Sequence, residues 1–180
     1  MPSVVRLRIA LHEVRPIVWR RLLVPGNVRL SKLHDMLQVA MGWSDSHLHV
    51  FIVGDATYGS RDEDAPPEEL DETSVTVVKA IGDERRFVYE YDFGDGWEHE
   101  VVVEEITSSP VGLKFAVCLD GKNACPLEDC GGPGGYADLL AALADPTHAE
   151  HRALLEWAGG PIDAEAFDLS ETNAMLQRVR

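Results

Sequence analysis

The sequence has only three cysteines, Cys118, Cys125 and Cys130, an odd number in 180 residues, which argues against the evenly paired disulfide framework of small secreted domains. It has no run approaching the 18 or so uncharged apolar residues that cross a bilayer. Its opening stretch, Met1 to Arg15, has charges spaced through it, unlike a secretory leader. Base is scarce, with 16 Lys and Arg against 31 Asp and Glu and a formal net charge of −15. Spread evenly, that charge would repel nucleic acid, whose binding rests on Lys and Arg neutralising phosphates. No Gly-x-Ser-x-Gly or His-Glu-x-x-His is present, and no Lys-Ser or Lys-Thr follows the glycine-rich stretch, so serine-hydrolase, zincin and P-loop readings have no footing. These absences lead us to expect a cytoplasmic protein with reduced or metal-bound thiols, no membrane partner and no tight hold on nucleic acid.

What is present is ordinary globular composition, 45% apolar and 26% charged, enough to build one domain over residues 1–180. The charge is uneven. Residues 1–40 hold seven bases (Arg6, Arg8, Arg15, Arg20, Arg21, Arg29, Lys32) against Glu13 and Asp35, a local +5 that leaves −20 elsewhere. This basic segment is a candidate face for a partner.

Val5, Leu7, Ile9 and Leu11 alternate with Arg6, Arg8 and Ala10, the period of a half-buried strand. After Pro16, the β-branched run Ile17 to Val24 reads as a second strand turning back on the first. From Ser31 the spacing of Leu33, Met36, Leu37, Ala40 and Met41 becomes helical, with Ser31 as N-cap and Gly42 as C-cap. His47 to Val53 reads as a third strand, and residues 55–74 as mostly solvated loop, with seven acids between Asp62 and Glu72 around Pro66-Pro67. Arg85 to Asp92 and Trp97 to Glu105, joined through Phe93-Gly94-Asp95-Gly96, predict a β-hairpin. Lys114 to Leu119 predicts a further strand, and Cys125 to Gly135 a shaped loop too rich in glycine and proline for regular structure. Helices are expected over Tyr136 to Ala144, from Thr147 (with Thr147-His148-Ala149-Glu150 as a capping box) to near Trp157, and from about Ser170 toward Arg178. Strands early and helices late give an α+β class with a mixed or antiparallel sheet.

Three clusters carry chemistry. Asp92, Asp95 and His99 in the hairpin offer oxygen and nitrogen ligands, although Asp-Gly also suits a turn on its own. His47 and His49, two apart on a strand, would point the same way and converge on one ion, with Asp45 or the hairpin acids as a third ligand. Together His47, His49, Asp92, Asp95 and His99 form a candidate divalent-metal set for zinc or manganese. The cysteines match thiolate zinc spacing only at its edge, and buried free thiols are the plainer reading. Gly131 and Gly132 precede a helix whose backbone amides are a candidate anion or ligand cradle. With Trp43, Tyr91 and Trp97 they form a candidate ligand-binding surface.

The blocks Pro16-Ile17-Val18-Trp19-Arg20-Arg21, Leu33-His34 through Met41-Gly42-Trp43, His47-Leu48-His49-Val50-Phe51, Tyr91 through His99, and Cys125 through Gly132 resemble, in order, the plasmid pRiA4b ORF-three-like family. One position departs from its pattern, with Leu127 where a second proline is expected. The resemblance covers nearly the whole chain and implies a small α+β domain of the kind carried in bacteria and archaea, in some cases beside insertion sequences under a resolvase-like label. It supplies no activity, and neither the nucleophile nor the helix-turn-helix of a serine recombinase can be pointed to here. Three functions follow as expectations. The first is a binding module for a protein or small ligand, the second a metal-dependent hydrolase on the His and Asp set, and the third an accessory factor in transposition that uses the basic segment.

Overall fold

The alternation in the first strand organises the whole molecule. The computed structural model describes residues 1–60 and 65–179 and places eight strands in chain order: β1 (Ser3–Leu11), β2 (Trp19–Pro25), β3 (His49–Val53), β4 (Ala56–Gly59), β5 (Leu70–Asp71), β6 (Arg86–Tyr91), β7 (Trp97–Ser108) and β8 (Val117–Lys122). They form one sheet ordered β5-β4-β3-β6-β7-β1-β2-β8. Every pair is antiparallel except β4 with β5. The helices are α1 (Leu30–Met41), α2 (Val77–Ile81), α3 (Gly132–Ala144), α4 (His151–Trp157) and α5 (Leu169–Leu176). The expected α+β class with a mixed sheet is the one observed.

Because side chains alternate across a pleat, one sheet face collects Leu7, Ile9 and Leu11 of β1, Leu22 and Val24 of β2, Phe51 of β3, Phe87, Tyr89 and Tyr91 of β6, and Val101 and Val103 of β7. The apolar stripe of α1 packs into the same cluster through Leu30, Leu33, Met36, Leu37, Ala40 and Met41. This helix begins one residue before Ser31, with Arg29 at the cap and no side-chain cap bond, and it stops at Gly42 in the left-handed conformation.

The basic first forty residues are spent internally. Arg6 pairs with Glu105 at 2.9 Å and Arg21 with Glu104 at 2.8 Å, across the outer sheet face. The hydrogen bond from Arg21 holds the Glu104 carboxyl below its usual range. Buried Arg20 donates to the carbonyls of Trp19, Ala40, Lys122 and Asn123. Arg15 and Arg29 donate to backbone oxygens, Lys32 pairs with Asp35, and Arg8 lies over Trp19. The local +5 is therefore a set of pairings and not an open basic face.

Several segments differ from expectation. Within the supposed 55–74 loop, Gly54-Asp55 turns the chain so that β4 pairs back on β3, a two-residue hairpin signal hidden by the acids that follow. Of those acids, residues 62–64 lie outside the described residues, while Glu72 is 3% exposed and far from solvated. The strand expected over Lys114 to Leu119 is displaced to β8, where β2 sets its register. The helix expected from Tyr136 already starts at Gly132, because Pro133 occupies a first-turn position that needs no amide hydrogen. The Thr147 capping box does not form: Thr147 bonds Asp145 Oδ1 through both its amide and its hydroxyl, and α4 begins after Glu150. Asp168, by contrast, caps α5 by accepting from the amides of Ser170 and Glu171.

Candidate functional site

The centre of the site is the end of β6. Asp92 follows Tyr91 with φ of 57°, a left-handed conformation that Asp tolerates better than most residues. Its amide donates to the Leu48 carbonyl at 2.8 Å, which stitches the hairpin end to the chain entering β3. Oδ1 accepts from the amides of Gly94 at 3.0 Å and Asp95 at 3.3 Å. That leaves Oδ2 directed at His47 Nε2, 3.6 Å away.

His47 lies just before β3 and meets Tyr91 edge-on, 5.9 Å between ring centroids. Its Nε2 is 3.1 Å from Oδ1 of Asp129, another left-handed carboxylate, with φ of 61°. The donor atoms of His47, Asp92 and Asp129 lie within 4.8 Å of one another. His47 Nε2 is buried, yet neither carboxylate completes a hydrogen bond to it. Donors that share one ion at about 2.0 to 2.3 Å stand roughly 3 to 4 Å apart, so the orphaned nitrogen and its two neighbours suit a divalent cation. Side-chain exposure rises from 9% at Asp92 through 28% at His47 to 71% at Asp129, which leaves the outer side open.

A cross-braced loop brings Asp129 to this point. Trp43 Nε1 donates to the Pro126 carbonyl at 3.0 Å. Glu128 accepts from the Ser44 amide and hydroxyl through one oxygen, and from the Tyr91 hydroxyl through the other. Burial and that carboxylate together push the Tyr91 phenol well above its ordinary range. The Gly131 amide donates to Asp95 Oδ2 at 3.2 Å. Gly132, at φ of 69°, lies so close to the hairpin that a Cβ there would stand 2.3 Å from the Asp95 carbonyl oxygen.

Of the five candidate ligands, the fold brings His47 and Asp92 together and separates the others. His49 does not share a face with His47, because β3 begins at His49 and the two-residue alternation does not extend back before it. Its Nε2 meets Glu72 at 2.9 Å. His99 points into the core, where Nδ1 donates to the Tyr89 carbonyl at 3.0 Å and burial lowers its pKa to about 4. Asp95 is the anchor for the glycine loop. The expected recognition surface is also relocated: Trp43, Tyr91 and Trp97 are 8%, 0% and 0% exposed, so they form a floor beneath the site. Gly131 and Gly132 provide close backbone approach, with the Gly131 amide already taken by Asp95.

Sequence reasoning missed Asp129. The signal was the acid pair Glu128-Asp129 between Cys125 and Cys130, where attention went to the thiols. All three thiols are free, and burial raises the pKa of each, Cys130 to about 11. Among the described residues, none joins a group of three potential metal donors. A second such group, His34, Asp35 and Asp45, is accounted for by pairing: His34 with Asp45 at 2.7 Å, and Asp35 with Lys32. No helix among the described residues is long and apolar enough to cross a membrane.

The model of the plasmid pRiA4b ORF-3-like protein family matches residues 3–171. An uncharacterised protein of Sinorhizobium fredii (strain NBRC 101917 / NGR234), y4hQ, is 44% identical over 174 residues, covering 95% of this chain and 89% of that one. Among solved structures, the crystal structure of MM3350 from Methanosarcina mazei Go1, a protein of unknown function, is similar with a TM-score of 0.85 and 31% identity. The match covers 95% of this chain and 98% of that one.

Proposed function

The chain belongs to the plasmid pRiA4b ORF-3-like protein family, and from that premise we propose that it is a divalent-cation-dependent binding domain for a small ligand. The observation that carries this reading is the convergence of His47, Asp92 and Asp129 around an orphaned imidazole nitrogen, with an open outer side. One imidazole and two carboxylates suit zinc or manganese. The ion would supply Lewis acidity toward a ligand oxygen, and the chain would hold the ion and shield its inner side with Tyr91. The test is metal content of untagged protein, together with calorimetric titration of zinc and manganese into wild type and Asp129→Asn. One equivalent bound by wild type and at least about tenfold weaker binding by the variant is expected. Equal affinity in both would remove the site.

A second reading, a metal-dependent hydrolase, draws on the same openness. Three protein donors with a free position are the pattern of catalytic rather than structural zinc sites. It predicts cation-dependent cleavage of an activated ester or phosphodiester that disappears in Asp129→Asn. Binding without turnover leaves the first reading in place.

A further inference from the structure

Beyond the cation site, we propose that the cleft between α3 and α4 binds an organic cation: an alkylammonium or guanidinium group carried on an apolar stem. The cleft measures about 520 Å³, within the range of small-ligand pockets. Its floor is apolar, with buried Leu139 and Ala142 of α3 facing half-buried Leu154 of α4. It is held open by a tie between its walls, since His151 Nδ1 donates to the Ala142 carbonyl at 2.9 Å.

Two features set the charge of the ligand. Trp157 lines the cleft half exposed, and among the described residues its indole has neither a ring contact nor a hydrogen-bond partner. It is the one tryptophan so placed, for Trp43 and Trp97 are buried and Trp19 already lies beneath Arg8 and Arg21. An indole face with no cation over it is a preferred seat for ammonium or guanidinium. The wall also carries Asp129, Asp138 and Glu150 but no Lys or Arg. The carboxylates of Asp138 and Glu150 have no hydrogen-bond or ion-pair partner among the described residues, whereas Glu104, Glu105 and Glu128 all do. His148, the one lining imidazole, accepts the Glu150 amide hydrogen at Nδ1, 3.2 Å away. An anionic ligand would meet uncompensated like charge, and a neutral one would leave both the carboxylates and the indole face unused. A cation on an apolar stem satisfies the floor, the indole and the wall together.

The test uses the full chain in chelator, so that the cation site is empty throughout, with agmatine and N-acetyl-arginine amide as probes and tryptophan fluorescence and calorimetry as readouts. Saturable binding of at least one probe is expected, weakened by added salt. It should fall about tenfold in Trp157→Ala and again in the double variant Asp138→Asn, Glu150→Gln. N-butylurea and citrate should not bind. Agmatine alone would identify a free amine, and the arginine amide alone a peptide side chain; both uphold the class. Because the probes are titrated in chelator, a wild-type protein that binds neither zinc nor manganese would sink only the cation reading. Absence of saturable binding, equal binding of the urea, or indifference to Trp157→Ala would overturn the proposal. Circular dichroism of each variant separates a lost contact from a lost fold.

Discussion

The imidazoles of His34 and His49 lie face to face in the core, with ring centroids 3.5 Å apart and planes 6° from parallel. Each ring is completed by its own partners. His34 Nε2 donates to Asp45 at 2.7 Å, and its Nδ1 meets the Tyr89 hydroxyl at 2.8 Å, which in turn accepts from Gln38. Burial, then the neighbouring His49, lowers the His34 pKa, so the uncharged ring is the form that fits. A carboxylate cannot donate, so His49 Nε2 carries the hydrogen that Glu72 accepts.

Removing that acceptor should be costly. Glu72→Ala leaves a buried donor facing nothing, a loss of about 1 to 3 kcal/mol, read as a lower urea midpoint at unchanged slope. Glu72→Gln should restore much of it, since an amide oxygen also accepts. A loss in Glu72→Ala no larger than that of a surface substitution would show that the contact contributes nothing to the fold.

His99 should make the protein acid-sensitive. Its pKa falls from 6.5 when unfolded to about 4 when folded, because burial excludes the imidazolium. The unfolded chain therefore holds more protons below pH 6.5. Stability from this group is complete above that value, declines as pH drops, and is lost once pH passes through about 4, a total of about 3 kcal/mol. Urea melts from pH 7 to 4 should show a shallower decline in His99→Gln than in wild type. Parallel curves would contradict the assignment.

Much of the sheet was legible because it rests on local alternation. Val5, Leu7, Ile9 and Leu11 announce their shared face within one short segment, and Asp-Gly at 95–96 announces a reversal. The site was legible only by halves. His47 and Asp92 could be singled out as polar residues beside turns, but Asp129 reaches them through Trp43, Ser44 and Tyr91 bonding to the Pro126 to Glu128 backbone and side chains, pairings with no sequence period. The separation of His47 from His49 depended on where the ladder with β6 starts, at His49 opposite Tyr91. A one-residue difference in such a boundary reassigns a side chain to the other face. The fate of the basic segment was likewise set by the register of β1 against β7, which puts Arg6 opposite Glu105.

Gly132 tests the bracing of the site. Alanine there meets the Asp95 carbonyl oxygen at 2.3 Å and must adopt φ of 69°, a conformation costing about 1 to 2 kcal/mol by itself. The loop and hairpin tip must separate to accept it. Gly132→Ala should therefore lower both the melting temperature and cation affinity, whereas Gly134→Ala, where a Cβ meets nothing within 4 Å, should leave affinity unchanged. Equal affinities in the two variants would show that the bracing does not matter.

The three thiols should react slowly in the native protein. Burial raises all of them, Cys130 to about 11, and only the thiolate is nucleophilic. At pH 7.5, alkylation should be slow until denaturant is added and should not change with chelator. Rapid modification freed by chelation alone would place metal on sulfur and overturn the oxygen and nitrogen set.

Asp92→Asn separates a cation site from a turn. The amide keeps an oxygen to accept from Gly94 and Asp95, so the turn survives while one of two neighbouring negative charges is lost. Without metal, relief of the repulsion between Asp92 and Asp129 should leave the variant as stable as wild type or slightly more so. With metal the order should reverse. A cation at one hundred times its dissociation constant adds about 2.7 kcal/mol to a protein that binds only when folded, and the variant, having lost a charged donor, should gain far less. Thermal melts of both proteins in chelator, zinc and manganese give the comparison. Crossing stabilities are the expected result, and metal-independent melts in both proteins would leave His47, Asp92 and Asp129 as three residues in contact without an ion to share.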